Sequence, residues 1–363
     1  MTTTPDTRLP SVPDAPASAS PRRGSDFSEL LRRVRAEGLF DRRPGSYTAR
    51  VGINAALLIA GGIAFFRLGD SWWQLLVAAY FGVLFTQLGF VGHDAGHRQV
   101  FRSGRANDIL GLIHANLLVG LSYDWWIGKH NRHHSHPNEV DRDPDLSAGA
   151  LVWTPEQAEA RRGVGRFLAR IQAWLFFPML SLEAMNLHVA SVRALLARSG
   201  KGKQHKLEAV LLTVHVVGYL TAVFLVMSPW HALAFIAVHQ AVFGVYLGCS
   251  FAPNHKGMPI VDDEDQLDYL RRQVLTARNV RGGWFTQVIL GGLNYQIEHH
   301  LFPSMPSANL RRCQPLVRAF CAERGLPYLE TSAWSSYSDV VRYLHEVAAP
   351  LRSPRPSASV GTS

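Results

Sequence analysis

Between residues 209 and 255 the chain runs for 47 residues without an Asp, Glu, Lys or Arg. Wholly helical, such a run extends about 70 Å, roughly twice the ~30 Å hydrocarbon thickness of a bilayer. A soluble domain of this size has no core deep enough to hide it, which disfavours a set of core helices in a large soluble protein. The run reads as two membrane spans, about 209–227 and 231–252. They reverse at Ser228-Pro229-Trp230, where proline cannot continue the helix.

Two more uncharged runs, 51–66 and 71–92, are separated only by Arg67, Leu68, Gly69 and Asp70 and read as a second hairpin. Trp72, Trp73 and Trp230 fall at the two tips, where amphipathic rings suit a membrane surface. Shorter apolar runs at 109–123 and 171–182 fall below a comfortable span and are expected to be interfacial or re-entrant helices. Eight Arg lie between Arg22 and Arg50 and five basic residues between Arg193 and Lys206, whereas the two tips together hold only Arg67. Basic residues stay on the cytoplasmic side. Both termini, the segment 93–208 and everything after Lys256 are therefore expected there, on a cell-membrane protein.

The charged fraction is 18%, against about 25% for ordinary soluble domains, and 47% of residues are apolar. This excludes a disordered chain and a charge-dense nucleic-acid arm. Three cysteines, Cys249, Cys313 and Cys321, form no C-x-x-C pair and disfavour a disulfide scaffold or a cysteine zinc module. Residues 1–25 and 351–363 read as disordered tails around one membrane domain, 26–350. The segment 27–40 is amphipathic and Arg-rich; it suits an anionic leaflet or a plain solvated helix.

Sixteen histidines are the unusual count, and they are grouped. His93 and His97 stand four apart where a span emerges, on one helix face. Asp94 follows the first, so the zincin pattern with its Glu base is excluded. His130, His133 and His134 again share a face. Clustered imidazoles repel one another when protonated, whereas metal binding holds them neutral. His299 and His300 repeat that spacing behind Gln296, and His255, preceded by Asn254, lies where the last span returns. With two hairpins, all three boxes and His255 fall on one side of the membrane. Eight imidazoles exceed one tetrahedral zinc site and suit two imidazole-preferring metal ions, iron being one option.

H-x-x-x-H, H-x-x-H-H and Q-x-x-H-H, in this order and spaced by two hairpins, resemble the membrane fatty acid desaturases from about Val51 to Leu329. The Gln-led third box, and the Leu-Phe-Pro-Ser-Met-Pro that follows it, resemble the front-end acyl branch. The resemblance implies an all-α integral membrane fold, with four transmembrane helices in two hairpins under a cytoplasmic helical cap that carries the boxes. It implies a non-haem di-iron centre on His93, His97, His130, His133, His134, His255, His299 and His300, with O2 and two external electrons inserting a cis double bond into an acyl chain. The acyl group is expected on coenzyme A, a carrier protein or a glycerolipid, without nucleic acid. A His-Pro-Gly-Gly haem motif is absent from these residues, so a separate donor such as ferredoxin with its reductase is expected.

Gln296 and Asn254 are candidate weak or outer ligands, and Asp94 and Glu298 candidate orienting carboxylates or plain surface ones. His215, His231 and His239 read as packing or interfacial residues, and His188 as structural or as lining substrate access. Arg271, Arg272, Arg278 and Arg281 suit docking of an acidic donor or of carrier phosphates, or simply the topology. Two rivals stand beside the desaturase. One is a hydroxylase of an alkane, sterol or carotenoid on the same centre; the other is a haem-binding membrane electron carrier using His215 and His239.

Overall fold

A computed structural model describes residues 25–197, 204–262 and 265–352 of the 363-residue chain. It is mostly helical. Four helices are long and apolar enough to cross a membrane: α2 (Pro44–Leu68), α3 (Gln74–Gly96), α10 (His205–Val226) and α11 (Pro229–His255). α2, α3 and α10 extend past the uncharged runs that announced them, and α11 runs three residues past the expected span 231–252, because a helix continues through polar residues such as Arg50 or His255 without losing a backbone hydrogen bond. Pro44 and Pro229 open α2 and α11, the position where the missing N–H costs nothing.

α3 is central: 56% of its apolar window is buried, against 17% for α2 and 11% for α10. It packs along α11, and Gly82 makes that approach possible, since a Cβ there would stand 2.8 Å from Val242. The turns before α3 and before α11 are stitched together. Gln74 Nε2 donates to the carbonyls of Phe65 and Gly69, and Asp70 Oδ1 accepts from the Ser228 amide and hydroxyl and from His231.

Residues 109–123 fold as the end of α4 (Gly104–Leu112), a π-helix at Ile113–Val119 and a reversal at Gly120 with φ 83°. The exposed carbonyls of that π-helix end need donors away from water. His215 supplies one to Leu117 O at 2.9 Å and His188 one to Gly120 O at 2.8 Å. Both rings thereby hold this reversal in place. The 171–182 run becomes α8 (Gln172–Leu180), bent by 71° from α9 (Glu183–Leu196). Between α4 and α8 lie α5 (Tyr123–Ser135), α6 (Pro155–Glu159) and α7 (Gly163–Arg170).

The remaining helices are α1 (Asp26–Ala36), α12 (Tyr269–Leu275), α13 (Trp284–Ile289), α14 (Gln296–Leu301), α15 (Ser307–Glu323) and α16 (Ala333–Val347). α1 does not present an apolar face for a leaflet: Leu30 and Val34 are buried in one cluster with Val317 and Phe320 of α15. Arg324 joins Asp26 and Glu29 across the same contact. Ser25, expected in the tail, is the N-cap of α1, and Leu351 ends a short 3-10 turn; 1–24 and 353–363 lie outside the described residues. So do Arg198, Lys201 and Lys203 of the basic segment. An all-helical reading also misses one small parallel pair, β1 (Asn279–Val280) with β2 (Glu330–Thr331), which ties the segment after α15 back beside α14.

Candidate metal centre

The three boxes arrive on three short reaches of helix. His93 rides the last turn of α3 and His97 caps it, its amide still bonded to the His93 carbonyl at 3.1 Å. α5 is capped by Ser122, whose hydroxyl accepts from the Trp125 amide, and carries His130, His133 and His134 about two turns later. His255 is the last residue of α11, and α14 supplies Gln296, His299 and His300.

All eight histidines converge. Ring nitrogens of His93, His97, His130 and His299 lie within 4.8 Å of one another, as do those of His133, His255 and His300 in a second group. His134 stands between the groups, its ring 4.6 Å from His97 and stacked on His300 at 4.1 Å. Nε2 of His93, His97, His299 and His300 is buried with no hydrogen-bond partner. A buried polar nitrogen left bare costs roughly 1–3 kcal/mol, so four of them, three in the first group and one in the second, mark a place built for something that accepts their lone pairs. Burial, and then neighbouring imidazoles, hold His130, His134, His299 and His300 well below the ordinary histidine range, in the neutral form that a metal requires.

The opposite nitrogens explain why lone pairs point inward. His133 Nδ1 lies 3.0 Å from both oxygens of Asp143, His300 Nδ1 2.9 Å from Gln273 Oε1, His255 Nδ1 3.0 Å from Thr276 O, and His93 Nδ1 3.2 Å from Asp94 Oδ1. An Nδ1–H held by an acceptor fixes the tautomer and leaves Nε2 free to ligate. Asp94 is itself anchored by Arg50 at 3.1 Å, Tyr47 and Ser307.

The other candidates are distributed differently. Gln296 Nε2 is 2.9 Å from His255 Nε2, and Asn254 Nδ2 reaches Gln296 Oε1 at 3.2 Å. Glu298 turns from the histidines to accept from Tyr328 at 2.7 Å and Asn279 at 2.8 Å, and burial pushes its carboxyl up to about 7. The Arg group is not a free docking face. Arg278 is 1% exposed, binding the carbonyls of Pro253, Lys256 and Ser336; a guanidinium has the donors to close the end of α11. Arg271 pairs with Asp268 and Asp26, Arg272 with Glu139, and the exposed Arg281 lies beside Glu330. His215 and His239 both contact the Phe85 ring, at 6.1 and 4.5 Å, so an aromatic side chain occupies the space a haem between them would need.

Asp143, Gln273 and the Thr276 carbonyl are the partners that sequence reading missed. Only Asp143 left a trace, as a carboxylate before Pro144 that also caps a short turn through the Asp145 amide.

The family sequence model described as fatty acid desaturase matches residues 70–332, which include all eight histidines. The chain is 30% identical to the acyl-lipid (9-3)-desaturase of Physcomitrium patens over 89% of its own length and 62% of that relative. It is 29% identical to the Delta(8)-fatty-acid desaturase of Euglena gracilis over 92% of this chain and 81% of the relative. Identity to the Delta(5) fatty acid desaturase fat-4 of Caenorhabditis elegans is also 29%, over 90% and 75% respectively.

Proposed function

Because the chain belongs to the fatty acid desaturase family, we propose that it inserts a cis double bond into a fatty acyl chain at a pair of iron ions held by eight histidines. It is a membrane protein and an oxidoreductase. The observation that carries the reading is the set of four buried, partnerless Nε2 atoms in a chamber of neutral imidazoles. When bound, the iron pair would supply the oxidising power, with O2, to break unactivated C–H bonds, which no side-chain acid or base provides. The reaction balances as one CH2–CH2 unit, O2, two electrons and two protons giving CH=CH and two waters. The electrons come from a donor protein, such as a ferredoxin with its reductase.

His93, His97, His130 and His299 would hold one iron and His133, His255 and His300 the other, with His134 between them. Asp94, Asp143, Gln273 and the Thr276 carbonyl keep those rings aimed. Gln296, steadied by Asn254, stands beside His255 as an outer or weak ligand. The four long helices are read as two hairpins from the cytoplasmic side of the cell membrane, with both termini and the histidine cap on that side. The joined tips at Asp70 and Ser228 and the bias of basic residues support this.

Expression in a host of defined lipid composition, with gas chromatography and mass spectrometry of derivatised acyl chains, tests the reading. New unsaturated chains are expected. Hydroxylated products alone would assign the centre to a hydroxylase, and a Soret band without non-haem iron would assign the chain to haem electron transfer.

A further inference from the structure

Beyond the desaturase reading, we propose that the protein carries a headgroup site for anionic glycerophospholipid, built from Arg166 and Arg170 of α7 and from Arg352 past the end of α16. The apolar face of α7 lies among the acyl chains beneath it. The site needs the membrane fold but not the chemistry of the histidines.

α7 is two-faced. Val164, Phe167 and Leu168 recur at i, i+3 and i+4, which puts them on one side of the helix. That side is uncovered: Val164 and Phe167 are 75% and 60% exposed, and Trp174, early in α8, is 81% exposed. In water such a face forgoes about 25 cal/mol for every Å² of apolar surface. Arg166 and Arg170 stand four apart along the other side, and Ala169 makes the buried edge, clustered with Val152 and Val347. A basic side next to an open aromatic side is the make-up of a helix that lies in the surface of a leaflet.

The height of α7 in the membrane follows from α8. Leu180 packs against Gly248 of α11, where a Cβ would stand 2.6 Å from Leu180 Cδ2. Gly248 precedes His255 by seven residues, about 10 Å of helix. Back from Leu180 to Gln172, α8 covers about 12 Å. It runs towards the histidine end of α11, because Gln172 binds both backbone groups of Val152 and donates to the Leu344 carbonyl of α16 at 3.1 Å. Ala173 accordingly shares a cluster with Cys249 and Ala252. α7, which ends just before Gln172, therefore sits near the height at which α11 delivers His255 and leaves the bilayer.

This boundary is short of negative charge. Among the described residues no carboxylate pairs with Arg166, Arg170 or Arg352, and Nη1 of Arg352 is buried without an acceptor. Burial, and then the neighbouring Arg170, hold the Arg352 guanidinium below its ordinary value. Nearby Glu159 gives Arg162 its backbone carbonyl. The sequence after Arg352 contains no Asp or Glu. Guanidinium groups gathered in this way suit a bridging phosphate, which accepts from more than one of them. A soluble phosphate would satisfy the charges but leave Val164, Phe167 and Trp174 bare, whereas a lipid phosphate answers both needs.

Native mass spectrometry of the full-length protein in detergent, with equal amounts of phosphatidylglycerol and phosphatidylcholine added, tests the site. Phosphatidylglycerol is expected to be retained in preference. Excess glycerol 3-phosphate, which has the phosphate without acyl chains, is expected not to displace it. Arg170→Gln and Arg352→Gln are each expected to weaken that retention about fivefold, the worth of one basic residue at an anionic membrane surface, with iron content unchanged. Arg318→Gln, a 57% exposed cation on α15, is expected to leave it alone. Equal retention of the two lipids, displacement by glycerol 3-phosphate, or wild-type selectivity in both variants overturns the proposal. If Arg352→Gln does not fold, Arg170→Gln, on the surface, decides. No acyl product is measured, so failure here leaves the desaturase reading standing.

Discussion

Asp143 offers a sharp test of how the histidines are held. Both its oxygens lie 3.0 Å from His133 Nδ1, and they also accept the amides of Asn138 and Asp145, each at 2.9 Å. Asp143→Asn keeps the volume but one oxygen must now serve three donors, and its NH2 confronts an N–H. His133 is then free to turn or to change tautomer, withdrawing a ligand from the second group of histidines. Loss of an outer carboxylate of this kind typically costs 10–100-fold in metal affinity, about 1.4–2.7 kcal/mol. The assay is iron per polypeptide after growth in limiting and in excess iron, with acyl products measured in parallel. Low iron and low activity are expected in limiting iron, with both largely recovered in excess. A merely structural defect would not be rescued, and full occupancy in limiting iron would refute the role given to Asp143.

Further outcomes follow from the same geometry. His133→Ala and His299→Ala should abolish desaturation and lower iron content, read by product analysis and metal assay. His215→Leu removes the donor to Leu117 O at a buried helix end and should cost roughly 1–3 kcal/mol, seen as a lower Tm with the double-bond position unchanged. Arg278→Gln should lower Tm because three carbonyls lose donors, whereas Arg281→Gln, 66% exposed, should not. In chelated protein, His130, His134, His299 and His300 have folded values depressed below their unfolded ones, so the unfolded state binds more protons in acid. Tm should therefore fall as pH drops through about 6.5, the unfolded histidine value, and a flat profile between pH 7.5 and 5.5 would contradict it.

The features legible in the sequence are those set by local periodicity. Absence of charge announced four long helices, and i, i+3, i+4 spacing gathered imidazoles onto common faces before any contact was known. Features created by distant contact were hidden. His133 is followed ten residues later by Asp143, but so is many a surface histidine, and nothing in the chain says that Gln273 will meet His300. Burial was hidden for the same reason. Arg278 looked like one of four surface cations until the end of α11 supplied carbonyls for it, and the segment of α1 suited a leaflet or a solvated helix until α15 covered Leu30 and Val34. Glu298 shows the limit most plainly: it sits inside a histidine box, yet its oxygens serve Asn279 and Tyr328.

The central claim is that eight converging histidines hold two iron ions. Elemental analysis of the purified full-length protein, by inductively coupled plasma mass spectrometry against quantified polypeptide, tests it most directly. Close to two iron per chain are expected, with little zinc and a clear loss in His133→Ala and in His299→Ala. One zinc per chain, or iron unchanged in both variants, would contradict it.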